Sequence, residues 1–317
     1  MQRLKLCFIV IVLFFSVLPM RGKCLSQVFS YSNDSKLKRI HLTQDESSKH
    51  IFFSKTMTTP ILGLRKSVIY RFERGFSTPL LKVNGYISSL MAYCDCLYYV
   101  TYNSFTLRGK LCKYRISDGH KETILNEEYG CGSILGIFDG KLYIEVEDKI
   151  LLIHLDRLSI ETISHKHYYL TASTEKGITY FDDIGTKWFF REWDNLSAPE
   201  QLAVAEDKIS SKRVFAWSQQ RFLLYDIFTD TLEIHDNNSV NSFKNVTGFC
   251  LDDNSVYIIR PENSPYCSVY RIDLFCDNPS DFLVMSNVRI NSNCCVIDNT
   301  LFYLNANDDL SYYSIID

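Results

Sequence analysis

Two histidines separated by a single residue, His165 and His167, are the clearest candidates for metal ligands in the sequence. Alternate residues of a β-strand project from the same face, so two imidazoles at this spacing can share one ion. The spacing identifies no third ligand, and the sequence contains no Asp-x-Asp-x-Asp-Gly calcium loop. We therefore predict neither a metal site nor a cofactor, and we interpret the pair as part of a solvated connection.

Adjacent aspartates are the candidates for catalytic carboxylates, and they occur as Asp182-Asp183, Asp252-Asp253 and Asp308-Asp309. Each pair lies where a strand hairpin ends, and aspartate is favoured there because its side chain caps backbone groups of the turn. The sequence contains no Gly-x-Ser-x-Gly nucleophile elbow and no Walker A stretch. The sequence thus identifies no catalytic residue.

Cysteine is the third residue type that could take part in chemistry. The chain has 11 cysteines, nine of them after residue 26. An odd number cannot pair completely within one chain, and neither Cys94-Asp95-Cys96 nor Cys294-Cys295 has the spacing of a zinc site. Two interpretations stay open: small buried hydrophobic residues, or one or two disulfides. If a disulfide forms, Cys96 and Cys112 are the more feasible pair because their predicted strands are neighbours.

The composition indicates a β-rich domain with a sizeable core. The chain has 317 residues, 46% of them hydrophobic, with 20 Tyr and 21 Phe, and aromatic residues favour strands. The formal net charge is -3, which argues against nucleic acid as a partner because such proteins need a basic face.

The first 26 residues differ from the rest of the chain. Arg3 and Lys5 precede the apolar run "LCFIVIVLFFSVLPM" at Leu6–Met20, which is short for a membrane span and typical of a signal peptide. We predict a signal peptide at residues 1–26 and a single domain at residues 27–317, secreted or displayed at the cell surface. The alternative is an uncleaved segment that tethers the domain to a membrane.

A strand pattern recurs seven times along the chain. The copies are "SVIYRF", "LCKYRI", "LLIHLD", "WFFREW", "FLLYDI", "SVYRID" and "SYYSII", from Ser67 to Ile316. Their spacing averages about 40 residues, and a period of this length without helices is typical of propeller blades. We therefore predict an all-β, seven-bladed β-propeller.

Each repeat unit contains four predicted strands, which we label a to d in chain order; the quoted copies are the c strands. Several a–b turns carry Asp-Gly or Asn, as at Asp139-Gly140, which is typical of hairpins. In the fifth unit the segment "QLAVAEDKIS" fits either the inner strand or a short helix. If that unit is incomplete, the propeller has six blades.

The last unit ends at its c strand and lacks a d strand. The segment "QVFSYS" at Gln27–Ser32 precedes the first unit and has no other assignment. We predict that it completes the last blade beside Leu310–Ile316 and closes the ring, since an exposed apolar edge strand promotes aggregation. The alternative is closure by Lys38–Leu42.

The rhythm of "LYY" and "YRID" strands followed by turns resembles bacterial extracytoplasmic propellers of the TolB-like and low-density-lipoprotein-receptor-like group. The resemblance covers residues 38–317 and concerns the fold. It implies no catalytic residue, because this group is functionally mixed.

Candidate ligand-binding residues lie in three predicted loops on one rim of the propeller. They are Met57, Leu62 and Leu64 in "KTMTTPILGLRK", Tyr102 and Phe105 in "TYNSFTLRG", and Pro261 in "PENSP". We predict a binding or scaffold protein that recognises a protein, peptide or glycan through one propeller face. The alternative is a secreted carbohydrate-active enzyme, a hydrolase or lyase, with its site at the central channel.

Overall fold

The computed structural model describes residues 30–32 and 41–315, apart from short internal segments of which the longest are 59–64 and 205–211. These residues form seven small antiparallel sheets in a ring, which confirms the predicted seven-bladed β-propeller and excludes six blades. The predicted signal peptide lies outside the described residues. Among the residues described, no helix is long and apolar enough to cross a membrane.

The first four blades each contain four strands. They are preceded in the chain by the N-terminal strand β1, which spans Ser30–Ser32. Blade 1 comprises β2 His41–Gln44, β3 Ile51–Thr58, β4 Arg65–Glu73 and β5 Phe76–Asn84. Blade 2 comprises β6 Tyr86–Tyr93, β7 Cys96–Tyr102, β8 Gly109–Arg115 and β9 Lys121–Leu125. Blade 3 comprises β10 Gly132–Phe138, β11 Lys141–Val146, β12 Lys149–His154 and β13 Ile160–Ser164. Blade 4 comprises β14 Tyr168–Ser173, β15 Gly177–Asp182, β16 Lys187–Glu192 and β17 Glu200–Gln201.

The remaining blades differ in strand number. Blade 5 comprises β18 Lys212–Ala216, β19 Arg221–Asp226, β20 Thr231–Asp236 and β21 Ser239–Phe243. Blade 6 comprises β22 Gly248–Asp252, β23 Ser255–Pro261, β24 Cys267–Asp273 and β25 Asp281–Val288, and β1 joins it as a fifth strand. Within the described residues, blade 7 comprises β26 Cys295–Ile297, β27 Thr300–Leu304 and β28 Leu310–Ser314.

The a–b turns have the backbone that their residues favour. Both turn residues have positive φ at Cys94-Asp95 (47° and 60°), Asp139-Gly140 (50° and 68°) and Asp298-Asn299 (45° and 55°). Two consecutive positive φ values define a type I′ turn, whose twist matches that of the flanking strands. Asp, Asn and Gly tolerate this region best, so the turns that the sequence predicted form for a local steric reason.

The described core residues form seven buried hydrophobic clusters, and each lies mainly between two neighbouring blades. This division follows from strand geometry, because alternate side chains of each strand point to the two faces of the blade. Each blade therefore packs against two neighbours, as in other repeat architectures.

The described part of the N-terminal segment, Ser30–Ser32, does not complete blade 7, so the predicted pairing beside Leu310–Ile316 was wrong for these residues, while residues 27–29 lie outside the described residues. Ser30 to Ser32 pair in antiparallel register with Cys250 to Gly248 of β22. Because β22 is the innermost strand of blade 6, β1 lies on the side of that blade that faces the ring axis. Among the described residues, β28 pairs only with β27. Of the alternative closing segment Lys38–Leu42, the described residues His41 and Leu42 belong to the inner strand of blade 1, and residues 38–40 lie outside the described residues.

The ring closes through side chains. The seam between blades 7 and 1 contains Phe72, whose ring makes edge contacts with Phe302 at 5.8 Å and with Tyr312 at 5.7 Å between centroids. Gln44 adds a hydrogen bond from its amide nitrogen to Asp298 Oδ2 at 3.1 Å. Ring closure thus depends on apolar packing more than on backbone hydrogen bonds.

The assignment of strands within unit five also requires correction. The sequence placed "FLLYDI" at the c position, yet it forms β19, which pairs with β18 on one side and β20 on the other and is therefore strand b. The preceding segment contributes Glu200–Gln201 to the outer edge of blade 4. Strands b and c are both apolar and alternating, so pattern alone does not distinguish them.

Replacing Tyr225 with Phe should destabilise the interface between blades 5 and 6. The Tyr225 side chain is fully buried, and its hydroxyl donates a 2.7 Å hydrogen bond to the carbonyl oxygen of Val246. Loss of the donor leaves that carbonyl without this bond, and we expect the free energy of unfolding to fall by about 1–2 kcal/mol in urea titrations. Tyr312→Phe, at an exposed hydroxyl, is the matched control, and equal effects of the two variants would contradict the prediction.

Candidate functional site

Three of the six predicted binding residues are described, and these three lie on one face of the ring. Successive strands of a blade run in opposite directions, so the b–c hairpins and the connections between blades share a face, which we call the upper face. The described members of the predicted set are Met57, Tyr102 and Pro261, at the upper ends of β3, β7 and β23. The other members, Leu62, Leu64 and Phe105, lie outside the described residues.

The three described residues do not form one site. Met57 is 56% exposed. The Tyr102 ring stacks on Tyr86 with 4.7 Å between centroids, and its hydroxyl donates to the Gly132 carbonyl oxygen at 3.3 Å, so its role is packing. Pro261 belongs to blade 6. None of the three lines the cavity between blades 1 and 2.

A cavity of about 490 Å³ lies between blades 1 and 2, and most of its lining residues are at the upper ends of strands or in the upper connections. Six of its 13 lining residues are cationic, and we call these six the cationic cluster: Arg65, Lys66, Lys82, Arg108, Lys110 and Lys121. Asn84, Thr101, Asn103 and Thr123 supply neutral polar groups. The volume is in the range of pockets that bind small molecules or short segments of a polymer.

The side chains of β8 and β9 that line the cavity occupy alternate positions of each strand. Lys110 is paired with Thr101, and Cys112 with Thr123, in the registers of β8 with its neighbours. Cys112 belongs to the buried cluster between blades 1 and 2, which shows that this face of blade 2 looks toward blade 1. Lys110 lies two residues before Cys112 and therefore projects from the same face.

The cavity floor is the connection between the two blades, held by a buried hydroxyl. Ser67 Oγ donates to the Gly85 carbonyl oxygen at 3.0 Å and accepts a hydrogen bond from the Ile87 amide at 3.1 Å. The Gly85 amide donates to the Arg65 carbonyl oxygen at 2.9 Å. These bonds fix the floor against β4, so the cations of blade 1 are presented from a rigid element.

Aromatic rings support two of the cations. The Arg65 guanidinium lies 5.0 Å from the centroid of the Tyr86 ring, and Lys121 Nζ lies 5.9 Å from that of Tyr99. Burial, together with the neighbouring Cys112 thiol, raises the pKa of Tyr99. The phenol therefore stays neutral, and its contact with the ammonium group is a cation–π interaction rather than an ion pair.

The cavity carries charge of one sign. Among the described residues, its lining contains no Asp or Glu, although the whole chain has a formal net charge of -3. A concave surface with clustered cations concentrates the electrostatic potential and attracts anions. Arg and Lys donate charge-assisted hydrogen bonds to carboxylate, sulfate or phosphate groups. The arrangement is suited to binding an anion.

Two other cavities have mixed character. One of about 450 Å³ lies at the opposite face between blades 2 and 3, where Lys113 and His154 face Asp139 and Asp156. The other, of about 480 Å³, lies between the outer parts of blades 6 and 7 and is lined mainly by apolar residues beside Arg271 and Asp273. In both, cations are accompanied by carboxylates, whereas the described lining of the cavity between blades 1 and 2 has none.

The structure gives no support to the metal pair or to the cysteine pair that the sequence suggested. No group of three or more His, Cys, Asp or Glu suited to a metal occurs among the described residues, and His165 and His167 lie outside them. Cys96 packs in the cluster between blades 2 and 3, whereas Cys112 packs between blades 1 and 2. Both thiols are free and project from opposite faces of one blade, which is incompatible with a disulfide between them.

Sequence reasoning missed the cationic cluster, although a signal was present. Residues 65–121 contain ten Lys and Arg but only three acidic residues, within a chain that is acidic as a whole. A local charge balance would have identified this stretch. It would not have identified the cavity, because the six cations come from four strands and one hairpin whose proximity depends on the fold.

Comparison with known proteins supports the fold. No family model matches the chain, and no curated protein matches it. Among solved structures, the β-propeller domain of the Trilobed protease from Pyrococcus furiosus, which has an open velcro topology, is similar with a TM-score of 0.58 and 12% identity, over 88% of this chain and 99% of that chain. A chain of the mitotic checkpoint complex matches with a TM-score of 0.55 and 8% identity, over 94% of both chains.

A prolyl endopeptidase also matches, with a TM-score of 0.55 and 10% identity, over 93% of this chain and 51% of that one. Identities this low establish the fold alone. The protein is thus a seven-bladed β-propeller, a fold that occurs both in protein complexes and beside protease domains. The strongest candidate site among its described residues is the cationic cavity between blades 1 and 2.

Proposed function

We propose that the protein is a binding protein that recognises an anionic group of a protein, peptide or glycan through its upper face. The cationic cluster is the observation that carries this proposal: six Lys and Arg line one cavity without an acidic residue among the described lining. Because opposite charges attract at close range, these cations would draw an anionic ligand into the cavity. The anion is a carboxylate, sulfate or phosphate, since all three accept hydrogen bonds from Lys and Arg.

The proposed location is outside the cytoplasm. Its support is the apolar run at Leu6–Met20 after two basic residues, which is typical of a signal peptide. The resemblance of the repeats to extracytoplasmic TolB-like propellers is consistent with that location. Sulfated glycans and acidic protein segments both carry groups that Lys and Arg bind, so the experiment includes one probe of each.

No observation favours the alternative of a carbohydrate-active enzyme at the central channel. Such enzymes need two carboxylates at the reacting bond, roughly 5–10 Å apart. In the described inner strands of the seven blades, the only acidic residue is Asp252 at the end of β22. We therefore retain binding as the proposed function.

Reversing two charges of the cationic cluster should abolish most of the binding. Lys82 and Arg108 are exposed residues on different blades, so Lys82→Glu with Arg108→Glu changes the cavity from both sides without altering the core. With fluorescent sulfated oligosaccharide and polyglutamate as probes, we expect the better ligand to lose affinity by about 100-fold, or tenfold per reversed charge. Binding should also weaken between low and physiological salt, because exposed charges are screened.

Lys187→Glu is the matched control. Lys187 is an exposed cation on β16 of blade 4, away from the cavity. This variant has one reversed charge and should bind within twofold of the native protein. A single Lys82→Glu variant provides the comparison at equal net charge. The proposal fails if neither probe binds at low salt, or if Lys82→Glu and Lys187→Glu weaken binding equally.

A further inference from the structure

Two cysteines from neighbouring blades are in direct contact in the core. Cys250 lies on β22 of blade 6, and Cys294 immediately precedes β26 of blade 7. Their Sγ atoms are 3.4 Å apart, and both residues are fully buried. They belong to the same hydrophobic cluster, which packs between blades 6 and 7.

We propose that Cys250 and Cys294 form a disulfide that links blades 6 and 7 when the chain folds in the presence of a disulfide oxidant. A disulfide has a sulfur–sulfur length of about 2.05 Å, so the two sulfurs need to approach by a little over 1 Å. The two cysteines are 44 residues apart in the chain. The bond would thus close a loop that spans all of blade 6 after β22.

The chemistry is thiol–disulfide exchange with a low-molecular-weight or protein disulfide, such as oxidised glutathione. One cysteine thiolate attacks a sulfur of the oxidant, which releases one glutathione thiolate and leaves a mixed disulfide. The second thiolate attacks the protein sulfur of that mixed disulfide and releases the second glutathione. The two cysteines lose two electrons and two protons, and the oxidant becomes two thiols.

Burial determines when this reaction takes place. It raises the pKa of Cys250, assisted by the neighbouring Cys294, so the thiolate that attacks a disulfide is scarce in the folded protein. An oxidant also has no access to sulfurs that are fully buried. The bond therefore forms as blades 6 and 7 assemble, before the cluster closes over both sulfurs.

The other cysteines of this region are not equivalent. Cys295 follows Cys294 directly, but it belongs to the cluster between blades 7 and 1 and so projects from the other face. Cys267 lies on β24 at the margin of the same cluster and is partly exposed. They provide matched controls, because Cys267→Ala and Cys295→Ala each remove a nearby thiol and should leave the bond intact.

The bond would stabilise blade 7, which has fewer described strands than any other blade. Blade 7 has three strands within the described residues, and it joins blade 1 through side-chain packing. A link through Cys294 ties its inner edge to β22, the strand that also pairs with β1. Oxidation should therefore stabilise the last blade and, through the ring, the whole domain.

The test compares chains refolded in a glutathione redox buffer with chains refolded in dithiothreitol. After denaturation and alkylation, mass spectrometry should show two fewer alkylated thiols in the oxidised native protein, with the loss reversed by reductant. The same deficit should appear in Cys267→Ala and Cys295→Ala and be absent from Cys250→Ala and Cys294→Ala. Oxidation should raise the Tm of the native protein by about 5 °C and leave that of Cys294→Ala unchanged.

Full alkylation of the natively refolded, oxidised protein would overturn the proposal, as would a deficit that persists in both Cys250→Ala and Cys294→Ala. If a variant fails to fold, peptide mapping of the oxidised native protein decides the question, because it identifies the bonded pair without any substitution. Neither measurement depends on the anionic ligand, so the result is independent of the proposed function.

Discussion

Phe72→Ala should lower the free energy of unfolding by about 3–5 kcal/mol, the range for truncation of a buried phenylalanine. Phe72 is 9% exposed and lies in the seam between blades 7 and 1. Its ring contacts Phe302 and Tyr312 of blade 7. The variant therefore leaves a cavity at the one junction where the two ends of the propeller meet.

The effect should be large because nothing covalent or strand-based holds this junction among the described residues. The N-terminal strand pairs with blade 6, so β28 gains no fourth strand from it. The polar contacts of the seam include the ion pair of Lys55 with Asp309 at 3.5 Å, in which the Asp309 side chain is 69% exposed. Exposed pairs of this kind contribute little, typically below about 1 kcal/mol.

Phe76→Ala is the control for the loss of a phenyl ring, because Phe76 is 76% exposed on β5 of the same blade. It should change stability by less than about 0.5 kcal/mol, as expected for a surface position. Denaturant unfolding followed by tryptophan fluorescence measures both variants. If Phe72→Ala lowers the free energy of unfolding no more than Phe76→Ala does, then packing at the seam does not stabilise the closed ring.

The number of blades was predictable because local sequence features specify each repeat unit. Alternating apolar strands near a 40-residue period and I′ turns such as Asp139-Gly140 each specify a hairpin without reference to the rest of the chain. Seven such units must form a ring if each is to bury both of its faces. Even the error in unit five, where "FLLYDI" is strand b rather than c, left the count unchanged.

The position of the N-terminal strand was not predictable by the same means. The outer edge of β28 and the inner edge of β22 both present backbone N–H and C=O groups to an added strand. A three-residue pairing such as Ser30–Ser32 with Gly248–Cys250 has no sequence signature that distinguishes one edge from another. The choice depends on where the chain enters the ring, which is a property of the assembled fold.

The candidate site was predictable only to the level of a face. Met57, Tyr102 and Pro261 do lie on the upper face, because hairpin order alone determines which loops share a side. The choice of apolar residues as ligand contacts missed the cationic cluster, whose members are brought together by the register of β8 and by the packing of blade 2 on blade 1. Charge balance per segment, rather than loop hydrophobicity, would have pointed to it.

Gly85→Ala should affect stability and binding together, because Gly85 forms both the connection between blades 1 and 2 and the floor of the cationic cavity. Its φ is +106°, and a Cβ at this position would lie 2.0 Å from the Tyr102 carbonyl oxygen. That oxygen belongs to the backbone of β7 and has no rotamer by which to move away. The clash should cost about 1–3 kcal/mol, and the positive φ a further 1–2 kcal/mol or so.

Gly75→Ala separates these two costs. Gly75 also has a positive φ, +86°, but the nearest atom to an added Cβ is the Tyr312 hydroxyl oxygen at 3.8 Å, an ordinary contact. This variant should therefore show the backbone cost alone, about 1–2 kcal/mol. The difference between the two variants in urea-induced unfolding measures the clash with Tyr102.

Binding provides the second readout for Gly85→Ala. Relief of the clash requires the blade connection to move away from β7, and Arg65 moves with it because the Gly85 amide is bonded to the Arg65 carbonyl oxygen. The folded fraction of Gly85→Ala should then bind the anionic probe more weakly than Gly75→Ala does, when both are measured below their unfolding transitions. If the two variants are equally stable, β7 moves to accommodate the methyl group and the predicted clash is absent. If they bind the probe equally well, the cavity floor does not position the cations.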